Sequence, residues 1–272
     1  MQKSLRLVSA AAHHAKRIGK VLPVAYGNLR GQSSGDDAMA FGSQFLIVAD
    51  GVGQWHRKPF GNPGLWSRLF VHHFQSELEM SRDMKLRNVP QEILQLAYVK
   101  TKEEAIRHEA KGTTTVVAAI LENRKLHVLN VGDSRCYVIR DGLLIFRSKD
   151  QWHWFDCPFQ LDTNSLDMPT THASLDVLSI EADDVVVMCS DGLSDNLFDA
   201  EILQICMEML QKQVTHLQQA ADELVRRAYE IAYDPYAESP YLEKCLLEFD
   251  TIRRGGKSDD ISVIVAMIQP LP

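Results

Sequence analysis

The residues of this chain best placed to do chemistry are aspartates at the ends of apolar segments. Residues 45–49 are an apolar run that ends in Asp50-Gly51, and 185–189 are a second run that ends in Ser190-Asp191-Gly192. Each run predicts a strand buried on both faces that delivers one carboxylate to a loop. Other aspartates stand at predicted strand ends or turns: Asp36, Asp37, Asp133, Asp195, Asp259 and Asp260.

Carboxylates gathered from several strand ends repel one another and raise one another's pKa. A cluster of this kind without basic partners is stable only if cations neutralise it. An all-oxygen ligand set suits Mg²⁺ or Mn²⁺ and disfavours Zn²⁺ or copper. Two such ions about 4 Å apart can bridge a hydroxide and clamp a phosphoryl oxygen. The pattern therefore predicts metal-assisted hydrolysis.

A simpler interpretation exists for any single Asp-Gly pair, because this dipeptide is common turn chemistry. We keep that interpretation for Asp141-Gly142, which predicts a hairpin turn. Other catalytic chemistries lack their motifs: the ten histidines include no HExxH, and no P-loop or GxSxG elbow occurs. None of the five cysteines is part of a CxxC pair or is followed six residues later by Arg. Scattered cysteines of this kind predict a reduced compartment and no structural zinc.

The elements that position these aspartates predict a single α+β domain. With 272 residues, 45% hydrophobic and 24% charged, the composition is that of an ordinary globular protein. We expect strands at 36–41, 45–49, 185–189 and 261–268, helices at 61–80 and 90–110, and an ordered loop at 149–173. Strands at 113–120, 126–131, 136–139 and 143–146 predict an antiparallel meander. Two amphipathic helices follow at 202–210 and 217–231, the second capped by Thr215.

Strands buried on both faces, with amphipathic helices around them, predict a four-layer α-β-β-α sandwich. In it, two mainly antiparallel sheets pack face to face and are flanked by helices. No apolar run approaches the roughly 20 residues that a membrane span needs. We therefore predict that the protein is not an integral membrane protein.

The start of the chain differs in charge from the rest. Residues 1–35 hold six Lys and Arg and no acid, so the net charge of −7 leaves −13 for the remainder. An acidic remainder argues against a nucleic-acid partner. The basic, Ser- and Ala-containing opening predicts an organelle-targeting presequence, with a solvated basic arm as the alternative. We accordingly expect such a segment at 1–25 and one domain at 26–272.

The order of the motifs resembles that of the metal-dependent type 2C (PPM/PP2C) protein serine/threonine phosphatases. Six blocks carry the resemblance: 35–38, Ala49-Asp50-Gly51-Val52-Gly53, 112–115, 130–135, 190–196 and 257–262. Residues 151–161 and 253–257 further resemble the mitochondrial PTC7-like subgroup. The resemblance implies phosphoprotein substrates and a location in the mitochondrion, with the cytoplasm as the alternative. It leaves the oligomeric state open.

The resemblance also implies residue roles. A hydroxide that bridges two Mn²⁺ or Mg²⁺ ions would attack the phosphorus of phosphoserine or phosphothreonine. The positions that match metal ligands are Asp50, Gly51 through its carbonyl, Asp191 and Asp259. Asp36 and Asp37 match a catalytic acidic pair that orients metal-bound waters, and Asp133 and Asp195 match positions for a possible third ion. Asp260 stands where the family usually has Asn.

Two positions depart from the family pattern. Val52 stands where animal members have a histidine that protonates the leaving group, which leaves a metal-bound water or a residue such as His56. Gln32 stands where the family has an arginine that grips phosphate, and Arg30, Arg57 or Lys58 are the possible substitutes. These departures motivate an alternative function, a catalytically silent PP2C-like binding or regulatory module.

Overall fold

The computed structural model describes residues 4–16, 29–83, 89–163, 166–210, 213–249 and 255–271. The strands are, in chain order, β1 (Leu5–His14), β2 (Gln32–Ser34), β3 (Asp37–Gly42), β4 (Phe45–Ala49), β5 (Thr113–Thr114), β6 (Val116–Glu122), β7 (Lys125–Val131), β8 (Arg135–Arg140), β9 (Leu143–Arg147), β10 (Trp152–Trp154), β11 (Cys157–Pro158), β12 (Leu161–Asp162), β13 (Ser174–Ser179), β14 (Val185–Cys189) and β15 (Ile261–Pro270). The helices are α1 (Pro63–Asp83), α2 (Pro90–Arg107), α3 (Pro169–His172), α4 (Asp191–Ser194), α5 (Asp199–Leu210), α6 (Leu217–Tyr233) and α7 (Pro240–Phe249). Short 3-10 helices cover Gly53–Arg57 and Val214–His216.

Two antiparallel sheets form the centre of the fold. One sheet has six strands in the order β13-β7-β6-β4-β3-β2, and the other has five in the order β1-β15-β14-β8-β9. Every strand pairs with its neighbours antiparallel. The central strands are apolar on both faces, which is the pattern of a sheet covered on both sides.

Side chains of the central strands alternate between two cores. In β4, Leu46 and Val48 join the core between the sheets, whereas Ile47 and Ala49 join a second core under α1 and α2. In β14, Val186 and Met188 likewise point between the sheets. Their neighbours in that strand join a third core under α5 and α6. The sheets therefore pack face to face with helices outside, which confirms the predicted α-β-β-α sandwich.

The start of the chain differs from the expectation of a separate segment at 1–25. Leu5–His14 forms β1, which pairs with β15 along its full length, from Leu5 opposite Pro270 to His14 opposite Ile261. Leu5 and Leu7 are buried in the core between the sheets. The alternation of apolar side chains is what a strand requires, and it outweighs the basic composition that favoured a presequence. The sheet thus begins at Leu5, while residues 17–25 lie outside the described residues.

The predicted antiparallel meander at 113–146 is wrong as a single unit. β6 and β7 belong to the six-stranded sheet, whereas β8 and β9 belong to the five-stranded sheet. When a strand is apolar on both faces, its own sequence does not indicate which of the two sheets contains it. The predicted turn at Asp141-Gly142 does join β8 to β9, and both of its residues have positive φ.

Other predicted elements are confirmed with small changes. The helices at 61–80 and 90–110 are α1 and α2, and the last strand is β15. The loop at 149–173 contains the short β10–β11 hairpin, β12 and α3. The capping role predicted for Thr215 is wrong, because α6 begins after His216 without a side-chain cap. Among the described helices, none has the length and apolarity needed to cross a membrane.

Candidate functional site

The aspartates singled out in the sequence emerge at matching ends of their strands. In the six-stranded sheet, the end of β4 pairs with the start of β3, and β7, which runs parallel to β4 with β6 between them, ends at the same edge. Asp50 follows β4, Asp37 begins β3 and Asp133 follows β7. In the five-stranded sheet, β14 ends beside the start of β15, which brings Asp191 and Asp259 to one edge. Antiparallel pairing thus gathers residues that are far apart in the chain.

Two glycines show how closely the loops at this edge approach one another. A Cβ atom on Gly51 would lie 2.3 Å from the carbonyl oxygen of Asp36, and one on Gly192 would lie 2.0 Å from that of Asp260. Both distances are too short for any side chain. The two Asp-Gly pairs that end β4 and β14 are therefore required by close backbone contact, beyond the ordinary preference of turns for this dipeptide.

Asp50 occupies the centre of the group electrostatically. Burial raises its pKa well above the ordinary value, and the charges of the neighbouring carboxylates raise it further. Those carboxylates belong to Asp37, Asp191, Asp259 and Asp133. The structure therefore brings together carboxylates from both sheets.

Asp37 is the most deeply buried member of the group, with 1% of its surface exposed. Within the described residues, neither of its carboxylate oxygens accepts a hydrogen bond of normal geometry. Burial raises its pKa well above the ordinary value, as does the charge of Asp260, while the hydroxyls of Ser190 and Ser262 lower it. A buried carboxylate without hydrogen bonds is costly, and a cation or an ordered water would satisfy it.

Asp36 forms a pair with a histidine that follows Asp50 in the chain. His56 lies in the short 3-10 helix, and its Nε2 atom is 2.7 Å from Oδ2 of Asp36. Burial raises the pKa of Asp36, and His56 and the backbone N–H of Gly64 lower it. Sequence reasoning named His56 as one of several possible proton donors. The contact with Asp36 is what distinguishes it from the other histidines.

Lysines neutralise part of the cluster, which sequence reasoning did not predict. Nζ of Lys257 lies 2.6 Å from Oδ2 of Asp191, and Nζ of Lys16 lies 3.7 Å from Oδ1 of Asp259. The backbone N–H groups of Lys16 and Asp36 donate to the carboxylate of Asp260 at 2.6 and 2.7 Å. The assumption that the aspartates lack basic partners is therefore wrong. In the sequence, the position of Lys257, two residues before Asp259, was the one indication of such a basic partner.

The two aspartates considered for a third ion already have protein partners. The indole N–H of Trp152 donates to Oδ2 of Asp133 at 3.1 Å. Burial alone would raise the pKa of Asp195, but Lys257 and Lys244 lower it to about 2. Burial and the charge of Asp191 raise the pKa of Asp133 to about 8. These two carboxylates thus differ strongly in their electrostatic environment.

The basic residues considered for phosphate binding lie in different places. The guanidinium of Arg30 pairs with Glu79 in the last third of α1, whereas the cluster contacts Gly64 in the first turn of that helix. Arg30 therefore does not reach the cluster, which corrects one prediction. Arg57 is exposed and directly follows His56. Lys58 stacks on the ring of Trp55, with Nζ 4.0 Å from the ring centroid.

The chemistry of these side chains fits hard divalent cations at one part of the cluster. Within the described residues, no three His, Cys, Asp or Glu side chains form a ready-made metal cage. The donors around Asp50 and Asp37 are nevertheless all oxygens, they repel one another, and those of Asp37 accept no hydrogen bond of normal geometry from a described residue. Such donors suit Mg²⁺ or Mn²⁺, which keep several waters as ligands.

Comparison with known proteins assigns this arrangement to a family. The profile of the family described as protein phosphatase 2C matches residues 26–227, well over half of the chain. The chain belongs to the protein phosphatase 2C family. Together with the relatives described next, the match makes the protein a serine/threonine protein phosphatase, a metal-dependent phosphoprotein hydrolase.

Relatives of this phosphatase support that assignment over nearly the whole length. The human protein phosphatase PTC7 homolog is 29% identical over 251 residues, which cover 88% of this chain and 81% of the relative. The X-ray structure of the photosystem II phosphatase PBCP has a TM-score of 0.79 at 28% identity, covering 97% of this chain and 100% of the other. The catalytic domain of the serine/threonine phosphatase PstP, solved with two manganese ions, shares the fold, with a TM-score of 0.64 at 19% identity and coverage of 98% and 100%.

Proposed function

We propose that the aspartate cluster is the active centre and that it holds two Mn²⁺ or Mg²⁺ ions. The ligands would be the carboxylates of Asp50, Asp191 and Asp259 and the carbonyl oxygen of Gly51. The observation that carries this proposal is the position of Asp50 among the carboxylates of both sheets. The two manganese ions in a structure of the same fold support it. When bound, the ions supply a water of lowered pKa and positive charge for the phosphoryl oxygens.

Asp36 and Asp37 would order solvent beside the ions. Both carboxylates of the pair are buried, and neither oxygen of Asp37 accepts a hydrogen bond of normal geometry from the described residues. These oxygens can therefore accept hydrogen bonds from water and orient it. Asp36 is held in place because its backbone N–H donates to Asp260 and its carbonyl accepts from the Ser67 hydroxyl at 2.5 Å.

A first prediction concerns the dependence on metal. Chelation should abolish phosphate release from a phosphopeptide, and added Mn²⁺ or Mg²⁺ should restore it, since the carboxylates by themselves repel an anionic substrate. Phosphate release before chelation, after it and after metal addition is the measurement. Activity that survives thorough chelation would exclude the metal site. A fully folded protein that stays inactive with Mn²⁺ would instead support the silent binding module.

We propose that His56 protonates the leaving oxygen of the substrate. Val52 supplies no proton at the position where animal relatives have a histidine, whereas His56 is partly exposed and bonds to Asp36 within the cluster. The carboxylate of Asp36 fixes the orientation of the imidazole ring. A protein alkoxide leaves far more readily when it receives a proton.

His56→Gln should therefore lower kcat for a phosphoserine peptide by roughly 10²-fold, the usual size of one general-acid contribution. With p-nitrophenyl phosphate the loss should be much smaller, because p-nitrophenolate leaves without a proton. Comparing kcat for the two substrates separates proton donation from a loss of folding. His72→Gln, a histidine on α1 that accepts from the Arg30 N–H, is the matched control. An equal loss on both substrates would contradict the assignment.

Arg57 is the proposed contact for the substrate phosphate. It is exposed and adjacent to His56, so the guanidinium can reach an anion bound in front of the cluster. Lys58 is a weaker candidate because its ammonium group stacks on Trp55. A higher KM for a phosphopeptide in Arg57→Gln, with little change in kcat, would support this role, and unchanged constants would remove it.

The substrates proposed for this phosphatase are phosphoproteins, and the proposed location is the mitochondrion. The location rests on the resemblance to the PTC7-like subgroup. The basic composition of the start of the chain supports it less, because Leu5–His14 is a strand of the domain. Imaging of the full chain with a tag after residue 272 tests the location, and a purely cytosolic signal would overturn it.

A further inference from the structure

The corner of the cluster around Asp195 is built with two lysines. Nζ of Lys244 lies 2.7 Å from Oδ1 of Asp195, and Nζ of Lys257 lies 3.0 Å from Oδ2. Asp195 is 3% exposed, so this is a buried carboxylate with one ammonium group on each oxygen. Ion pairs of this kind are hydrogen-bonded as well as charged, and breaking one is costly.

Both lysines are held in place by further contacts. The backbone of Lys257 is fixed by Asn196, which accepts from the Lys257 N–H and donates to the Lys257 carbonyl, both at 2.9 Å. Lys244 projects from α7 over the ring of Trp152, with Nζ 4.6 Å from the ring centroid. The same Trp152 donates its indole N–H to Asp133. Lys244, Trp152 and Asp133 therefore form one connected network.

A divalent cation at this corner would compete directly with these groups. An ion bound to Asp195 would sit about 2.0–2.1 Å from its oxygen, the usual Mg²⁺ distance, beside ammonium groups bonded to the same carboxylate. Like charges this close in a buried site repel strongly. The two ammonium groups already carry the charge of one divalent ion. The residues at this corner thus do not fit a third metal.

We propose that Lys244 and Lys257 take the place of a third divalent ion at Asp133 and Asp195. The inference rests on the proposed two-ion function and limits it to two ions. Lys257 also bonds to Asp191, but only to Oδ2, so within the described residues Oδ1 of Asp191 stays open for a metal ion, whereas both oxygens of Asp195 are bonded to ammonium groups. In this chain, a cation fixed by the fold performs the charge neutralisation that a mobile ion would otherwise provide.

The test is the number of Mn²⁺ ions bound at equilibrium dialysis, measured for the full chain. The unchanged protein should bind two ions, and Asp195→Asn should bind the same two. The double variant Lys244→Met/Lys257→Met should bind one additional ion, and adding Asp195→Asn to it should remove that ion. Lys100→Met, which breaks an ion pair with Glu77 on α1, is the control and should leave the number unchanged.

Thermal unfolding gives a second readout that does not depend on activity. Mn²⁺ should raise the Tm of the double lysine variant beyond its effect on the unchanged protein, and Asp195→Asn should cancel that excess. A third ion in the unchanged protein that Asp195→Asn removes would overturn the proposal. So would a folded lysine variant that gains no ion.

Failure of the proposed function would look different. If the unchanged protein binds no Mn²⁺, the proposed two-ion function fails. If the double lysine variant then gains one ion that Asp195→Asn removes, the proposal that the lysines take the place of an ion is still supported. If the double variant does not fold, Lys244→Met alone and the Asp195→Asn comparison in the unchanged protein decide the question. Binding of three ions by the unchanged protein and of only two by Asp195→Asn would contradict the proposal.

Discussion

Asp50→Asn should lower the turnover of a phosphopeptide by roughly 10³-fold, the loss expected when one central electrostatic group of an active site is removed. The amide keeps the shape of the side chain but binds a divalent cation weakly. The same substitution should make the metal-free protein more stable, because Asp50 is the carboxylate on which four neighbouring charges act. A variant that is less active and yet more stable is the signature of a functional site.

The gain in stability should depend on pH. In the metal-free protein, burial is the main cause of the raised pKa of Asp37, Asp50, Asp259 and Asp260, with values of about 7 for Asp259 and about 6 for Asp260. An acid whose pKa is raised in the folded state binds protons that the unfolded chain releases. The free energy of unfolding therefore falls as pH rises from about 4, the pKa of an unfolded aspartate, to about 8. Asp50→Asn should reduce this fall.

Thermal unfolding between pH 5 and pH 8, with and without Mn²⁺, is the measurement. Mn²⁺ should remove most of the pH dependence in the unchanged protein, since the cations neutralise the same carboxylates. Asp141→Asn is the control, because Asn tolerates the positive φ of this exposed turn. A near-normal turnover in Asp50→Asn would remove the central assignment. A Tm that is lowered equally at pH 5 and pH 8 would contradict the electrostatic account.

Deleting residues 5–14 should prevent folding of the phosphatase. The deletion removes β1, exposes the edge of β15 and opens the cores on both faces of that strand. A domain is stable by only about 5–15 kcal/mol, and the loss of a ten-residue edge strand, with its full ladder to β15 and the buried Leu5, Leu7 and Ala12, exceeds that margin. If the segment were a presequence outside the domain, the shortened protein would instead be folded and fully active. Solubility, circular dichroism and phosphatase activity distinguish the two outcomes.

Point substitutions provide a graded form of this prediction. Leu7→Ala leaves a cavity between the sheets and should cost about 3 kcal/mol, or a fall in Tm of roughly 10 °C. His13→Ala removes an exposed side chain from the same strand and should change stability by less than about 0.5 kcal/mol. Equal, small effects of both substitutions would show that β1 contributes little.

Local pattern was sufficient for the elements that carry the proposed chemistry. The apolar runs before Asp50 and Asp191 predicted β4 and β14, and the final apolar segment predicted β15. These predictions succeed because burial of alternating side chains on both faces is a property of the strand itself. The order of the acidic motifs also indicated the family.

Partners of the acidic groups were not predictable in the same way. The N–H of Lys16 bonds to Asp260, 244 positions along the chain, and Lys257 bonds to Asp195 across 62 positions. Arg30 was a reasonable phosphate ligand in the sequence, yet it pairs with Glu79 on α1. The ion partner of a side chain depends on how distant segments pack together, and the periodicity of the sequence does not indicate that packing.

The sequence by itself determined the strands β4, β14 and β15 and the aspartates next to their ends. It also determined the helices α1, α2, α5 and α6 and the family to which the order of the acidic motifs belongs. Only the tertiary structure decided that β1 is part of the domain, that β7 and β8 lie in different sheets, and that His56 meets Asp36. The physical reason is the range of the interactions. The apolar pattern of consecutive residues indicates whether a strand is buried, whereas strand pairing and charge neutralisation depend on contacts between residues far apart in the chain.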